Sequence, residues 1–353
     1  MKENLAEPGT SSVRGAPPGA DLASLEELCT AVGENALLQA QVHEALTSRL
    51  LQMESQGREA QRTLANSFER LEKLIRDVDC RIDGLTEKLL AASSMGPRVV
   101  APVGDLWLTK VLNRFFMYVE STDMSVAPYL VTDGCWEKCI TDAMIARLKP
   151  GLTVVDVGAN YGYYTLLAAG IVGTSGRVYA FEPNPRTFGL LIKNIRMNWF
   201  GPIVQAHPVA ASNSRKRVEL HVLREFQGST SLFVPEIVPE TGPSQNERPI
   251  IEAVPLDEIV QDKVDLVKID AEGSEPHVFE GMQKILERSP NLTIFMEFNI
   301  PMIRQNDDPR NFLNRIRQLG FSIQWFTPWS TLEAFDEANA LQFDLFNLLL
   351  ERK

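Results

Sequence analysis

The sequence predicts an α/β protein with a doubly wound, mostly parallel sheet, preceded by a long N-terminal coiled-coil helix. Two patterns predict this organisation. From residue 151 onward, short β-branched apolar runs alternate with stretches of helical periodicity, as expected for strands linked by crossover helices. Between residues 21 and 95, apolar residues recur at spacings of three and four without a proline. A chain of 353 residues has room for both parts.

The N-terminal part divides at residue 20. Residues 1–20 are rich in proline and glycine with few large apolar residues, which predicts a disordered tail. Residues 21–95 form the predicted coiled coil, whose seam runs from Leu25 to Leu89 and shifts phase beside Gly57. A helical hairpin bent at Gly57 is the alternative. We expect self-association or docking of a partner through residues 25–89.

Residues 96–150 are predicted to be a linker with lead-in helices over 105–118 and 136–148, followed by the main domain at 151–353. Further helices are expected up to 172 and over 185–199, 274–288 and 309–319. Strands are expected over 153–157, 177–182, 202–210, 217–223, 250–256, 265–270, 292–298, 321–326 and 343–351. A hairpin turn is predicted at Asn213-Ser214, and the last strand is predicted to lie at the edge of the sheet.

The composition excludes several classes of protein. The chain has 46 acidic and 35 basic residues, a formal net charge of −11, which disfavours nucleic acid as a partner. It has no apolar stretch long enough to span a membrane and no secretory signal at its start, so a cytoplasmic location is expected. Its cysteines, Cys29, Cys80, Cys135 and Cys139, are expected to be reduced thiols. A metal site at Cys135 and Cys139 would need two more soft ligands close by, and the chain has only four histidines, so no metal site is predicted.

The turn after the first predicted strand of the main domain has the composition of a ligand-binding loop. Asp156 lies at the end of that strand, and Gly158 and Gly162 allow the backbone to turn tightly and approach a ligand. Asn160 stands where a dinucleotide-binding G-x-G-x-x-G motif has its middle glycine. An acid here would repel a pyrophosphate and attract a cation, so the loop favours a positively charged ligand.

Glu182 follows the next predicted strand, 26 residues after Asp156. An acid in this position can accept hydrogen bonds from both hydroxyls of a ribose. The two loops together therefore predict a site for a nucleoside with a positive charge.

The segments VVDVGANYGYYT and YAFEPNP, with VDLVKIDAEGSEPHVFEG and FMEFN, resemble class I S-adenosylmethionine-dependent methyltransferases, and in particular the FkbM family. The resemblance covers roughly residues 125–350 and implies a Rossmann-like fold with S-adenosyl-L-methionine as cofactor. It implies the following contacts: the methionine end with Asp156, Gly158, Asn160 and Gly162, the ribose with Glu182, the adenine with Ala210, and the amino group with Glu137.

The resemblance also implies methyl transfer to a hydroxyl of a sugar, glycan or polyketide-like acceptor. A hydroxyl needs a positioned base, and the candidates are Asp270, Glu272 and His277. Glu297 is another acid that follows a neighbouring predicted strand.

Gly228–Ser231 is a candidate acceptor loop or a plain surface loop. The alternatives are an NAD(P) oxidoreductase on the same fold and a non-catalytic coiled-coil scaffold with a vestigial methyltransferase domain.

Overall fold

A computed structural model of the chain describes residues 101–352, apart from residues 224, 227, 229 and 233–246. Every described residue falls in one compact unit, residues 98–353. The predicted tail at 1–20 and coiled coil at 21–95 lie outside the described residues, so both stay predictions.

The described part begins with an antiparallel three-stranded sheet. Its strands are β1 (Ala101–Val103), β2 (Leu106–Val111) and β3 (Phe115–Glu120), paired in the order β1-β2-β3. The predicted helix over 105–118 is therefore wrong. Leu112 and Asn113 both adopt a φ of 52°, and the Arg114 amide donates to the Val111 carbonyl at 3.0 Å. This tight turn reverses the chain in the middle of the segment predicted to be helical.

The remaining strands and the helices follow the predicted alternation for most of their length. The later strands are β4 (Thr153–Val157), β5 (Arg177–Phe181), β6 (Val204–His207), β7 (Ala210–Ala211), β8 (Lys216–Glu219), β9 (Ile250–Val254), β10 (Leu266–Ile269), β11 (Thr293–Asn299), β12 (Ser322–Phe326), β13 (Leu332–Ala334) and β14 (Leu345–Glu351). The helices are α1 (Ala127–Thr132), α2 (Lys138–Ile145), α3 (Tyr163–Val172), α4 (Pro185–Met197), α5 (Leu256–Ile259), α6 (Glu275–Glu280), α7 (Gln283–Arg288), α8 (Ile300–Ile303), α9 (Pro309–Gln318) and α10 (Glu337–Ala340).

The main sheet has eight strands in the order β13-β12-β14-β11-β10-β4-β5-β6. The pairs from β11 to β6 are all parallel, which confirms the predicted mostly parallel sheet. From β4 the chain moves outward through β5 to β6, and it later returns to add β10 and β11 on the other side. The strand order therefore reverses between β4 and β10, the place where ligands bind in open sheets of this type.

Three local predictions are wrong. β14 is antiparallel to both β11 and β12 and lies between them, so it is not an edge strand. β7 and β8 both pair with β9 and not with each other, so there is no hairpin at Asn213-Ser214. The helix predicted over 274–288 is two helices, α6 and α7. Gly281 lies between these two helices, and a Cβ there would be 1.9 Å from the Ser212 carbonyl oxygen. The backbone at Gly281 therefore packs directly against the segment that contains Ser212.

The sheet is buried on both faces. Leu166, Leu167 and Leu191 from α3 and α4 belong to one apolar cluster, and Val278, Ile285 and Phe312 from α6, α7 and α9 belong to the other. Within residues 101–352, apart from the gaps named above, no helix has the length and apolar character needed to cross a lipid bilayer. The two helical layers hold the strands so that their carboxyl ends share one open cleft.

Candidate functional site

The cleft lies at the carboxyl ends of β4, β5, β10 and β11 and encloses about 1070 Å³ of empty space that is open to solvent. The described residues that line it include five carboxyl side chains and no lysine, arginine or histidine. These five are Glu137, Glu182, Asp270, Glu272 and Glu297. The cleft is thus suited to a positively charged ligand, as the loop sequences predict.

The loop after β4 is held closely against its neighbours. The amides of Gly158 and Ala159 donate to the Phe181 carbonyl at 2.9 and 3.0 Å. Gly158 has a φ of +78°, and a Cβ there would lie 1.8 Å from the carbonyl oxygen of Asp270. Gly162 has a φ of +97° and leads into α3. Both glycines are therefore required by the local geometry.

Glu182 joins this loop to the end of β5. Its Oε2 accepts from the Asn160 amide at 2.7 Å, and its Oε1 accepts from the Asn184 amide and the Thr187 hydroxyl, both at 2.8 Å. Burial raises the pKa of Glu182 to about 7, although these three donors favour the ionised form. Asn160 itself has a φ of 50°, and its buried Oδ1 has no hydrogen-bond partner among the described residues. The two predicted residues thus lie together at the cleft wall.

Asp156 is placed differently from the other predicted cofactor ligands. It is 2% exposed and is not among the described residues that line the cleft. The Thr165 hydroxyl on α3 donates to its Oδ2 at 2.5 Å. Burial raises the pKa of Asp156 to about 6. In this position Asp156 joins the end of β4 to α3 behind the loop.

Ala210 and Glu137 both line the cleft. Ala210 is in β7, flanked by Val209 and Ala211, so this wall is built of small apolar side chains. Glu137 precedes α2 with a φ of 42°. Its Oε2 accepts from the Tyr164 hydroxyl at 2.8 Å and its Oε1 from the Asn347 amide group at 3.2 Å. Burial raises the pKa of Glu137, while the nearby Lys268 charge lowers it.

Lys268 is a site residue that the sequence patterns did not predict. It is completely buried in the middle of β10, and its Nζ lies 2.9 Å from Oδ2 of Asp270 and 5.3 Å from the centre of the Tyr164 ring. Although burial opposes its charge, the surrounding acids Asp270, Glu137 and Glu297 raise the pKa of Lys268 above its ordinary value. A lone lysine in an otherwise apolar strand was the signal available in the sequence.

Asp270 and Glu272 follow β10, and Glu297 lies in the adjacent strand β11. One carboxylate oxygen from each lies within 4.8 Å of one from each of the others. Burial raises the pKa of Glu272 and of Glu297 well above their ordinary values, and the charge of Asp270 adds to both shifts. Glu272 has a φ of 47°, and its carbonyl accepts from the Ser231 hydroxyl at 2.7 Å.

Glu275, which the sequence analysis also missed, fixes the loop that carries Glu272. It is completely buried, and its Oε1 accepts from the amides of Ala271 and Gly273 at 3.0 and 3.2 Å. Burial raises the pKa of Glu275 to about 7.

His277 is not brought to the cleft. It lies in α6 and is absent from the described residues that line the cavity. Burial lowers its pKa, and the charges that act on it are Lys216, Glu280 and Asp307. By contrast, Gly228 and Thr230 of the predicted acceptor loop line the cleft, as does Leu232 beside it.

Comparison with known proteins finds similarity to methyltransferases within this domain. Residues 156–323 match the sequence model described as the methyltransferase FkbM domain. Protein-L-isoaspartate O-methyltransferase 1 of Arabidopsis thaliana is 38% identical over 64 residues, which are 18% of this chain and 28% of that protein. The chain thus spans little more than a quarter of the curated relative.

Three of the solved structures to which the chain is similar are described as methyltransferases. The FkbM methyltransferase from Methylobacillus flagellatus is 16% identical, with 57% of this chain and 44% of that chain covered and a TM-score of 0.37. An rRNA methylase from Streptococcus thermophilus is 14% identical, with 60% and 93% covered and a TM-score of 0.36. The O-methyltransferase from Bacillus cereus, solved with SAH, is 14% identical, with 64% and 86% covered and a TM-score of 0.36.

Proposed function

From the match of residues 156–323 to the methyltransferase FkbM domain, we propose that the protein is a cytoplasmic S-adenosyl-L-methionine-dependent methyltransferase. The acceptor group is a hydroxyl, on a sugar, glycan or polyketide-like molecule. The observation that carries the proposal is Glu182, which lines the cleft and is held by donors on both of its oxygens.

The cleft fits this cofactor in charge and shape. Carboxyl groups line it without a basic side chain among the described residues, which suits a sulfonium and an amino group and disfavours a pyrophosphate. Gly158 has no side chain, so the loop after β4 lies directly against the Asp270 carbonyl and the loops after β4 and β10 meet at the cleft. Glu182 would hold the ribose hydroxyls, Ala210 would lie against the adenine, and Glu137 would bind the amino group. When bound, S-adenosyl-L-methionine supplies an electrophilic methyl group on a positively charged sulfur.

Asp270 is our candidate for the base that receives the hydroxyl proton. It lines the cleft, and its side chain is 28% exposed, so an acceptor can reach it. Lys268 binds Oδ2, which fixes the carboxylate and leaves Oδ1 as the oxygen available to a hydroxyl. Glu272 is the second candidate. His277 would need a rearrangement of α6 to take part.

Isothermal titration calorimetry of the full chain tests the cofactor assignment. We expect S-adenosylhomocysteine to bind with micromolar affinity and NAD⁺ or NADP⁺ not to bind. The reverse result would establish the oxidoreductase alternative and overturn the proposal. If neither ligand binds, the scaffold alternative is favoured. For variants of the acids in the cleft, Glu287→Gln is a suitable control, because Glu287 is an exposed acid outside the cleft and its substitution should leave ligand binding unchanged.

For residues 25–89, we propose a parallel coiled coil that clusters the methyltransferase domains or docks them on a partner protein. Support comes from the apolar seam alone, whose spacing continues over many turns. This proposal is independent of the chemistry in the cleft.

A further inference from the structure

The acidic end of the cleft has the geometry of a cation site. Asp270, Glu272 and Glu297 come from the ends of two adjacent parallel strands, and one oxygen from each lies within 4.8 Å of the others. Oxygen ligands of Mg²⁺ or Ca²⁺ lie about 2.0–2.6 Å from the ion, so opposite ligands are about 4–5 Å apart. One ion can therefore contact all three carboxylates.

The oxygens around this cluster are short of hydrogen-bond donors. Oε2 of Glu297 is buried without a partner among the described residues. Ser274 is 2% exposed, lines the same cleft, and has an unpartnered Oγ. Glu275 is completely buried beneath the loop of Glu272, and its Oε2 is also unpartnered. Buried oxygens of this kind are costly unless a donor or a cation satisfies them.

Charge balance points the same way. Three carboxylates this close repel one another when ionised. Among the described residues, the salt bridge of Lys268 is to Oδ2 of Asp270 at 2.9 Å, and its charge acts on Glu272 and Glu297 only from a longer distance. No lysine, arginine or histidine lines the cleft beside these two glutamates in the described part of the chain. The donor set consists of oxygen atoms, which favours hard cations such as Mg²⁺ and Mn²⁺ over Zn²⁺.

We infer that Asp270, Glu272 and Glu297 form a binding site for a divalent cation of the magnesium type. Its role would be to hold the hydroxyl of an acceptor in the cleft, and this role rests on the proposed methyltransferase function. With the ion on Oδ1 of Asp270, the ion would contact the hydroxyl in place of that oxygen. The site itself does not depend on that function, because ion binding can be measured without cofactor or acceptor.

The test is a titration of the full chain with Mn²⁺, followed by electron paramagnetic resonance of the free ion and by competition with Mg²⁺. We expect one saturable site that Mg²⁺ displaces. Loss of a group that supports a metal ligand typically weakens binding 10–100-fold. We therefore expect Glu297→Gln and Asp270→Asn each to weaken Mn²⁺ binding by at least about tenfold.

Glu287→Gln, which removes an exposed acid on α7, is the matched control and should bind Mn²⁺ like the wild type. Circular dichroism melts establish that each variant is folded. Absence of saturable Mn²⁺ binding, or binding that neither Glu297→Gln nor Asp270→Asn weakens, overturns the inference. S-adenosylhomocysteine calorimetry is measured separately, so failure of the cation site and failure of the proposed function give different results.

Discussion

The Asn160 amide donates to Oε2 of Glu182 at 2.7 Å and thereby joins the loop after β4 to the loop after β5. The hydrogen bond places a buried carboxylate where the two strand ends meet. It also means that Glu182 has a structural task in addition to its proposed contact with the ribose. Substitutions at this position should therefore affect both cofactor binding and the pH dependence of stability.

Glu182→Gln should weaken binding of S-adenosylhomocysteine by about 10–100-fold, since hydrogen bonds to a charged group contribute about 1.5–3 kcal/mol. Backbone amides donate to both carboxylate oxygens of Glu182. Glutamine replaces one of these oxygens by an NH₂ group, which cannot accept a hydrogen bond, so one of the two backbone donors loses its acceptor. Calorimetry measures the change. A dissociation constant equal to that of the wild type would show that Glu182 does not hold the ribose.

The stability of the protein should fall as the pH rises from about 5 to 8, in part because of Glu182. Burial raises its pKa from 4.5 to about 7, so the folded state binds the proton more tightly than the unfolded state. The contribution is present at low pH and is lost as the pH passes from 4.5 through 7. We expect it to be about 1–3 kcal/mol.

Urea unfolding at pH 5, 6, 7 and 8 tests this contribution by comparing the wild type with Glu182→Gln. The comparison is needed because burial also raises the pKa of Asp156 and Glu275 and lowers that of His207. The stability of Glu182→Gln should decline less between pH 5 and pH 8. Parallel curves for the two proteins would contradict the assignment of a raised pKa to Glu182.

Gly158→Ala should disrupt the cleft. The new Cβ would lie 1.8 Å from the Asp270 carbonyl oxygen at a φ of +78°, so the loops after β4 and β10 must separate. Left-handed backbone at a residue other than glycine costs about 1–3 kcal/mol before the clash is counted. We expect a lower melting temperature and at least a tenfold loss of S-adenosylhomocysteine affinity.

Gly189→Ala is the matched control for this variant. Gly189 is in α4, and a Cβ there has nothing within 4 Å. Alanine is favoured over glycine inside a helix by about 1 kcal/mol. Its melting temperature should stay equal or rise. If Gly158→Ala behaves in the same way, the close approach to Asp270 is not required.

The Lys268–Asp270 pair can be measured by a double-mutant cycle with Lys268→Met, Asp270→Asn and the double variant. Removal of Lys268 leaves acids in the cleft without their buried counter-charge, so this single variant should be destabilised. Because the Asp270 side chain is 28% exposed, solvent screens the pair, and we expect a coupling energy of about 1–2 kcal/mol. Additive effects in urea unfolding would show that the two charges are independent.

The coiled-coil prediction is tested by light scattering of the full chain and of residues 96–353. The full chain should form an oligomer and the shorter chain a monomer, because the apolar seam lies within residues 25–89. Removing the seam should leave S-adenosylhomocysteine binding unchanged. A full chain that is monomeric at micromolar concentration would exclude self-association.

The strands β4, β5, β10 and β11 were predictable because each is an apolar run with a turn signal after it. Since parallel strands present their carboxyl ends together, Glu182 and Asp270 could be placed at one edge of the sheet. The β2–β3 hairpin was not predictable in the same way. The apolar residues of this segment fit the period of a helix as well as that of a strand. The turn residue Leu112 has a positive φ, and a leucine in the sequence does not indicate a turn.

The surroundings of several candidate site residues depend on tertiary contacts that the sequence does not show. Asp156 faces Thr165, and His277 faces charges outside the cleft, although both have the spacing of site residues. Lys268 was placed in the predicted strand 265–270 but not in the site, because a lysine within an apolar run gives no sign of which acids surround it. Its partners come from three other elements of the fold, and only the folded structure brings them together.

The position of β14 has a consequence for synthesis of the protein. Seven residues near position 350 fill the gap between β11 and β12, and they pair with both strands. Until the ribosome has released them, β11 has an open edge and the β12–β13 hairpin has no place in the sheet. During translation, the sheet formed by residues up to about 340 is therefore incomplete and has an unpaired strand edge. Such an edge is prone to aggregation and can be bound by chaperones.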